Sequence, residues 1–139
     1  MTNRYIELAE YLSDHLWMRN SLDFNFLKTF PEFLYSGVAY RTLFLDKLEM
    51  PKSCVNQSFS KTLTGVREYI YNAQNFDKDF VENKKPFTFR SQIEGFDLQK
   101  ALLFFKKNGG LTEKTIENFL LEEEVLAYSH SNLELVEIN

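Results

Sequence analysis

Three consecutive glutamates near the C-terminus are the residues of this 139-residue chain best suited to chemistry. Glu122, Glu123 and Glu124 come directly before the apolar residues 125 to 127, and this pattern predicts a strand. Because side chains alternate along a strand, we expect Glu122 and Glu124 on one face and Glu123 on the other. Two carboxylates on one face repel each other unless a cation, a positive transition state or solvent relieves them. The run therefore indicates either a solvated strand edge or an acidic site.

An arginine and two serines are the other polar residues that stand out. Arg41 is the one charge in the alternating pattern of residues 36 to 45, and a buried guanidinium needs an internal carboxylate or an external anion as its partner. Ser58 and Ser60 lie on either side of Phe59 at the predicted end of a strand, so their hydroxyls share a face. Taken alone, such a pair is typical of a strand end that leads into a helix cap.

The elements that must position these residues follow from hydrophobic periodicity. Helices are predicted over residues 3–18, 22–30, 63–73, 98–108 and 112–119, and strands over residues 36–45, 54–59, 87–95, 121–128 and 133–138. Residues 74 to 86 lack a clear period and are predicted to form a long loop with room for one helical turn. This order predicts an α+β fold with a mixed or antiparallel sheet, in which residues 1–35 are helical and residues 36–139 form a β-rich core.

Length and composition predict one soluble domain. Hydrophobic residues make up 44% of the chain and charged residues 26%, which excludes disorder as a global description. The 14 Phe and 7 Tyr predict a core built largely from rings. A net charge of -4 gives no support for a nucleic-acid partner. The longest apolar run, residues 101 to 105, is far shorter than the roughly 20 residues that span a bilayer.

The cysteine and histidine content predicts neither a disulfide nor a metal site. Cys54 is the single cysteine, and His15 and His130 are far apart and lack ligand spacing. Charges scattered through the first 16 residues do not fit a signal peptide. We therefore expect a cytoplasmic protein.

The order arginine, serine pair, glutamate pair resembles the mono-ADP-ribosyltransferase family of the arginine-serine-glutamate type, which includes bacterial toxins and phage enzymes. Residues 39 to 41 match the family's first-strand arginine, residues 57 to 70 its serine motif and following helix, and residues 122 to 126 its Glu-x-Glu motif. Residues 92 to 98 resemble the strand-glycine-helix segment between the last two motifs. Three motifs in order on predicted strands are more specific than any one of them.

The resemblance implies an ADP-ribosyltransferase-like fold and an enzyme that transfers ADP-ribose from NAD, its substrate, to a macromolecule of a host cell. It implies that Glu124 bonds the ribose hydroxyl and stabilises the oxocarbenium-like centre that forms when the sugar bond breaks. Glu122 is implied to position or deprotonate the acceptor, which for this form of the motif is a protein arginine. Arg41 is implied to hold the NAD phosphates.

The serine motif is implied to support this chemistry. Ser58 orients the catalytic glutamate and the nicotinamide ribose, and Ser60 supports the turn that follows. The resemblance also implies an aromatic ring beside the nicotinamide, and the candidates are Phe59, Phe76 and Phe80.

Two further interpretations remain open at this point. Thr42 follows Arg41 where the family usually has glycine, and only 40 residues precede Arg41. These departures are compatible with an ADP-ribosyltransferase-like fold that has lost catalysis and acts as a protein-binding or inhibitory factor, for example against a defence complex. The third interpretation is a structural or assembly protein with an aromatic core. The acceptor protein and the oligomeric state are not predicted.

Overall fold

The structure is a computed structural model that describes residues 1–18, 21–49 and 58–138. Within these residues two short 3-10 helices, Pro31–Phe33 and Leu120–Glu122, accompany the longer elements. In chain order the longer elements are α1 (Asn3–His15), α2 (Phe24–Leu27), β1 (Leu34–Leu45), β2 (Ser58–Ser60), α3 (Leu63–Phe76), α4 (Lys78–Val81), β3 (Lys85–Asp97), α5 (Leu98–Asn108), α6 (Glu113–Phe119), β4 (Glu124–His130) and β5 (Glu134–Ile138).

The five strands form one antiparallel sheet centred on β3. Strand β1 pairs with β3 along its whole length, from Leu34 opposite Phe96 onward. The other edge of β3 pairs with β4 near its C-terminal end and with β5 near its N-terminal end. Strand β2 pairs with β4 and also meets β1, where Tyr40 lies opposite Ser60. The pairings β1–β3–β4–β2–β1 therefore close on themselves, which brings the strands of the arginine, serine and glutamate motifs together.

The main core lies between the helices and one face of the sheet. Phe96 of β3 and Leu126 of β4 contribute to it from the sheet, and α1 and α5 contribute their apolar faces. The prediction of an aromatic core is confirmed, because five phenylalanines are among the largest fully buried side chains: Phe30, Phe59, Phe89, Phe96 and Phe105.

A smaller apolar cluster fixes helix α3 beside the C-terminal half of β1. Phe44 packs there with Val66, Ile70 and Ala73, which recur at helical spacing on α3. Thr62 caps this helix, because its side chain accepts a hydrogen bond from the backbone N–H of Gly65. The capped, amphipathic helix predicted from the sequence is confirmed, and it forms one wall of the site described below.

The α+β class and the antiparallel sheet are confirmed, whereas several element limits differ from the prediction. Helix α1 ends at His15 rather than at residue 18. The predicted long loop is mostly helical, since α3 continues to Phe76 and α4 follows at once. Residues 54 to 57 of the predicted strand 54–59, Cys54 among them, lie outside the described residues.

Among the described residues, none of the helices has the length and apolar content that crossing a bilayer requires.

Candidate functional site

The residues singled out by the sequence meet in one pocket between β1, β2, the start of β4 and α3. Its volume is about 190 Å³. It is lined by Tyr40, Arg41, Thr42, Ser58, Ser60, Val66, Tyr69, Glu122 and Glu124. One guanidinium, two carboxylates and two serine hydroxyls therefore share a small cavity.

A hydrogen bond between strands fixes the carboxylate of Glu124. The register of β2 and β4 places Ser60 opposite Glu124, so Ser58 is the diagonal neighbour of Glu124 on the same face of the sheet. The Ser58 hydroxyl donates to Oε2 of Glu124. Glu124 is only 3% exposed. A carboxylate this deeply buried needs hydrogen-bond donors, and the serine motif supplies one of them.

Arg41 joins the first strand to the serine strand. Its Nη1 donates to the backbone carbonyl of Ser58 at 2.9 Å, and its guanidinium carbon lies 6.0 Å from the centre of the Phe59 ring. The side chain is half-buried and lines the pocket together with both glutamates. A permanent positive charge thus stands in the same cavity as the two carboxylates.

The glutamate run bends instead of continuing as a strand, so the prediction of a strand from residue 121 is wrong in this part. Leu120–Glu122 forms a turn of 3-10 helix, Glu123 takes the left-handed conformation (φ 50, ψ 47), and β4 begins at Glu124. The bend is held from outside the run, because the backbone N–H of Lys61 donates to the carbonyl of Glu123 at 2.9 Å.

The strand prediction placed Glu122 and Glu124 on one side and Glu123 on the other. The bend produces the same separation without a continuous strand. Glu122 and Glu124 line the pocket, whereas Glu123 accepts hydrogen bonds from the Thr62 hydroxyl and, at 3.5 Å, from the Gln99 amide. The left-handed residue between them turns the chain, so that two glutamates two positions apart share one cavity without a strand to align them.

Tyr69 is a pocket residue that the sequence analysis missed. It lies on α3 three positions after Val66, and both side chains line the pocket. Its ring centre is 6.3 Å from that of Phe44, in the apolar cluster behind the site. The signal that could have found it is its helical position, because it shares a face with Val66 and Ala73.

The Tyr69 hydroxyl is protonated at neutral pH. Burial raises the pKa of Tyr69 above its ordinary value of 10.0, which is the largest effect, and a nearby guanidinium opposes the rise while three carboxylates add to it. These neighbours are Arg41, Glu122, Asp77 and Glu124. Tyr69 therefore contributes a neutral hydroxyl that can donate a hydrogen bond within an acidic cavity.

The structure brings none of the three phenylalanine candidates into this pocket. Phe59 is buried on the opposite face of β2, in a cluster that contains Ala39 and Val125, because side chains alternate along the strand. Phe76 and Phe80 are 79% and 50% exposed and lie outside the lining of the pocket. Among the described residues, the rings that line it belong to Tyr40 and Tyr69.

The polar groups and the size of the pocket suit one part of a sugar-phosphate ligand rather than a whole dinucleotide. Carboxylates and hydroxyls are typical partners of sugar hydroxyls, and a guanidinium suits a phosphate. Pockets that enclose a whole small molecule usually measure about 300 to 1,000 Å³, and this one is smaller. The rest of a bound dinucleotide would lie outside it. Within the described residues, no group of three or more His, Cys, Asp or Glu side chains could hold a metal ion.

Comparisons with protein-family models, with curated proteins and with solved structures find no match for this chain.

Proposed function

We propose that this protein is a mono-ADP-ribosyltransferase with an ADP-ribosyltransferase-like fold, which transfers ADP-ribose from NAD to an arginine of a protein in a host cell. The observation that carries the proposal is the convergence of Arg41, Ser58 and Glu124 in one pocket, with Ser58 bonded to the buried Glu124 carboxylate. The residues come from three segments far apart in the chain. An ADP-ribosyltransferase site would need these three residues to meet in this way.

In the proposed reaction, the ribose C1′ of NAD loses its bond to nicotinamide and gains a bond to an acceptor nitrogen. The bond between C1′ and the nicotinamide nitrogen breaks, and nicotinamide leaves with the electron pair. An acceptor nitrogen donates its own pair to C1′ and loses a proton, which Glu122 accepts. Positive charge develops on the sugar between these events, so the fixed carboxylate of Glu124 stabilises the transition state more than the ground state.

The remaining pocket residues would bind and orient the substrate. Arg41 is the one guanidinium among the residues that line the pocket, and its planar donors suit a phosphate group. The Ser58 hydroxyl holds Glu124 in one orientation. Tyr40 and Tyr69 replace the three phenylalanines as the aromatic candidates beside the nicotinamide, because both line the cavity.

The proposal is tested by measuring two activities with purified protein. Nicotinamide release from NAD reports cleavage, and labelling of a small guanidine compound from labelled NAD reports transfer. We expect both activities in the wild-type protein and a loss of about 100-fold or more in Glu124→Gln, since removing one electrostatic stabiliser costs about that much. Glu94→Gln, an exposed glutamate on β3, is the matched control and should leave both activities unchanged. Wild-type protein without either activity, or a fully active Glu124→Gln, would overturn the proposal.

A catalytically inactive protein of the same fold, acting by binding a partner, is the second candidate. Thr42 is the observation that favours it, because this residue lines the small pocket and its hydroxyl is bonded to Thr88 at 2.9 Å. A side chain therefore occupies space where the family usually has glycine. Calorimetry with NAD separates the candidates: the enzyme binds NAD in the micromolar range, and the inactive protein does not bind it.

A further inference from the structure

A hydrogen bond from helix α3 fixes the side chain of Glu122. The amide Nδ2 of Asn72 donates to Oε2 of Glu122 at 3.1 Å. Asn72 is half-buried and is not among the residues that line the pocket. Its contact is therefore with the glutamate and not with a ligand inside the cavity.

Two further contacts at the start of α3 hold the turn that carries this glutamate. Gly65 lies so close that a Cβ atom there would be 2.5 Å from the carbonyl oxygen of Glu122, closer than real Cβ contacts. Thr62, the cap of the helix, donates its hydroxyl hydrogen to the carboxylate of Glu123. Because the turn is already held against α3, the Asn72 hydrogen bond acts on the rotation of the Glu122 carboxylate.

We propose that Asn72 is a positioning residue for the transfer half of the reaction, holding the Glu122 carboxylate so that it takes the proton of the acceptor nitrogen. The inference rests on the proposed function. An amide N–H suits this task because it donates to the carboxylate and carries no charge that would compete for the acceptor. Cleavage of NAD depends on Glu124, whose carboxylate is held by Ser58, whereas Asn72 donates to Glu122, so the two activities should separate.

Substitutions at Asn72 that remove or retain the amide donor test whether transfer and NAD cleavage respond differently. Asn72→Leu has similar size without a donor, and Asn72→Gln retains an amide on a longer side chain. Asn75→Leu is the matched control, since Asn75 is exposed and bonds the Tyr71 carbonyl of its own helix at 2.7 Å. The assays give kcat and KM for a guanidine acceptor, and the rate of NAD hydrolysis without acceptor.

We expect Asn72→Leu to lower kcat for transfer by about tenfold or more, because a hydrogen bond to a charged group is worth about that factor. NAD hydrolysis should stay within about twofold of the wild-type rate, since that step does not use Glu122. Asn72→Gln should recover part of the transfer rate, and Asn75→Leu should leave both rates unchanged. If Asn72→Leu does not fold, Asn72→Asp provides the same comparison, because an ionised Asp has no donor and repels Glu122.

Each alternative outcome has a distinct meaning. Equal losses of hydrolysis and transfer, accompanied by a lower melting temperature, would make Asn72 a structural residue and overturn the inference while the proposed function stands. Unchanged transfer in a folded Asn72→Leu would overturn it as well. A wild-type protein that neither hydrolyses NAD nor transfers ADP-ribose would overturn the proposed function, and the inference with it.

Discussion

The hydroxyl of Ser58 donates to the carboxylate of Glu124 across the pairing of β2 with β4. Both residues belong to motifs that are weak when taken alone: a serine pair at a strand end and a run of glutamates. The hydrogen bond joins them inside one cavity, where the side chain of Glu124 is almost completely buried. A donor placed on a buried carboxylate in this way should affect stability as well as chemistry.

A double-mutant cycle tests the energetic coupling of Ser58 and Glu124. Ser58→Ala should lower the free energy of unfolding by about 1 to 3 kcal/mol, because a buried carboxylate loses a donor. The same substitution should cost much less in a Glu124→Leu background, which leaves no carboxylate to satisfy. Urea unfolding of the four proteins measures the coupling. Ser36→Ala, at an exposed serine of β1, should instead be additive with Glu124→Leu within about 0.5 kcal/mol. Additive effects of Ser58→Ala would contradict the prediction.

Replacing Gly65 by alanine should destabilise the protein although alanine favours helices. The added Cβ would lie 2.5 Å from the Glu122 carbonyl oxygen and 3.0 Å from the Cβ of Glu123, so α3 or the glutamate turn must shift. We expect the free energy of unfolding to fall by about 1 to 3 kcal/mol, the usual cost of overpacking. Thr64→Ala, at an exposed position in the same turn of α3, should cause no fall. Unfolding curves in urea compare the two, and equal stabilities would argue against the close approach.

The limits of a helix could be predicted accurately where capping residues mark both of its ends. Helix α5 runs from Leu98 to Asn108 as predicted, because Asp97 caps its start and Gly109, with φ 81, ends it. Such signals lie within a few residues of the feature that they define. The meeting of Arg41 with the glutamates was expected only through the resemblance, since it depends on strand pairings between distant segments.

The parts of the site that the sequence did not reveal are those fixed by distant contacts. The apolar residues after the glutamate run predict a strand that includes it, yet the run bends, and the bend is held by Lys61 and by the close approach of Gly65. Tyr69 resembles any aromatic residue on an amphipathic helix, and only the tertiary arrangement directs it into a polar cavity. Hydrophobic periodicity indicates which face of a helix or strand is buried, but it does not indicate which residues that face contacts.

Asp97 should contribute to stability through two separable interactions. Its Oδ1 caps α5 by accepting from the backbone N–H of Lys100 at 3.0 Å, and its Oδ2 pairs with Lys61 at 3.1 Å. Asp97→Asn retains a capping oxygen and loses the ion pair, whereas Asp97→Ala loses both. We therefore expect Asp97→Ala to unfold more easily than Asp97→Asn by about 1 kcal/mol. Equal free energies of unfolding for the two variants would show that the cap contributes nothing.

The raised pKa of Tyr69 should make stability depend on pH in the alkaline range. Burial is its main cause, with the carboxylates of Glu122, Asp77 and Glu124 adding to it against Arg41. The folded protein therefore retains the phenolic proton at pH values where the unfolded chain, with an ordinary pKa of 10.0, has begun to lose it. A state that binds more protons is destabilised as pH rises, so this contribution is complete below pH 10 and is lost as pH increases through the folded-state pKa.

The measurement compares wild-type protein with Tyr69→Phe, which cannot titrate at this position. The wild-type free energy of unfolding should fall relative to that of Tyr69→Phe above pH 10, with a slope of at most about 1.4 kcal/mol per pH unit. The pKa of Tyr35 is also raised, mainly by burial, but its contribution is common to both proteins and cancels in the difference. Parallel curves for wild type and Tyr69→Phe up to pH 11 would mean that the pKa of Tyr69 is not raised in the folded protein and that its hydroxyl is in contact with water.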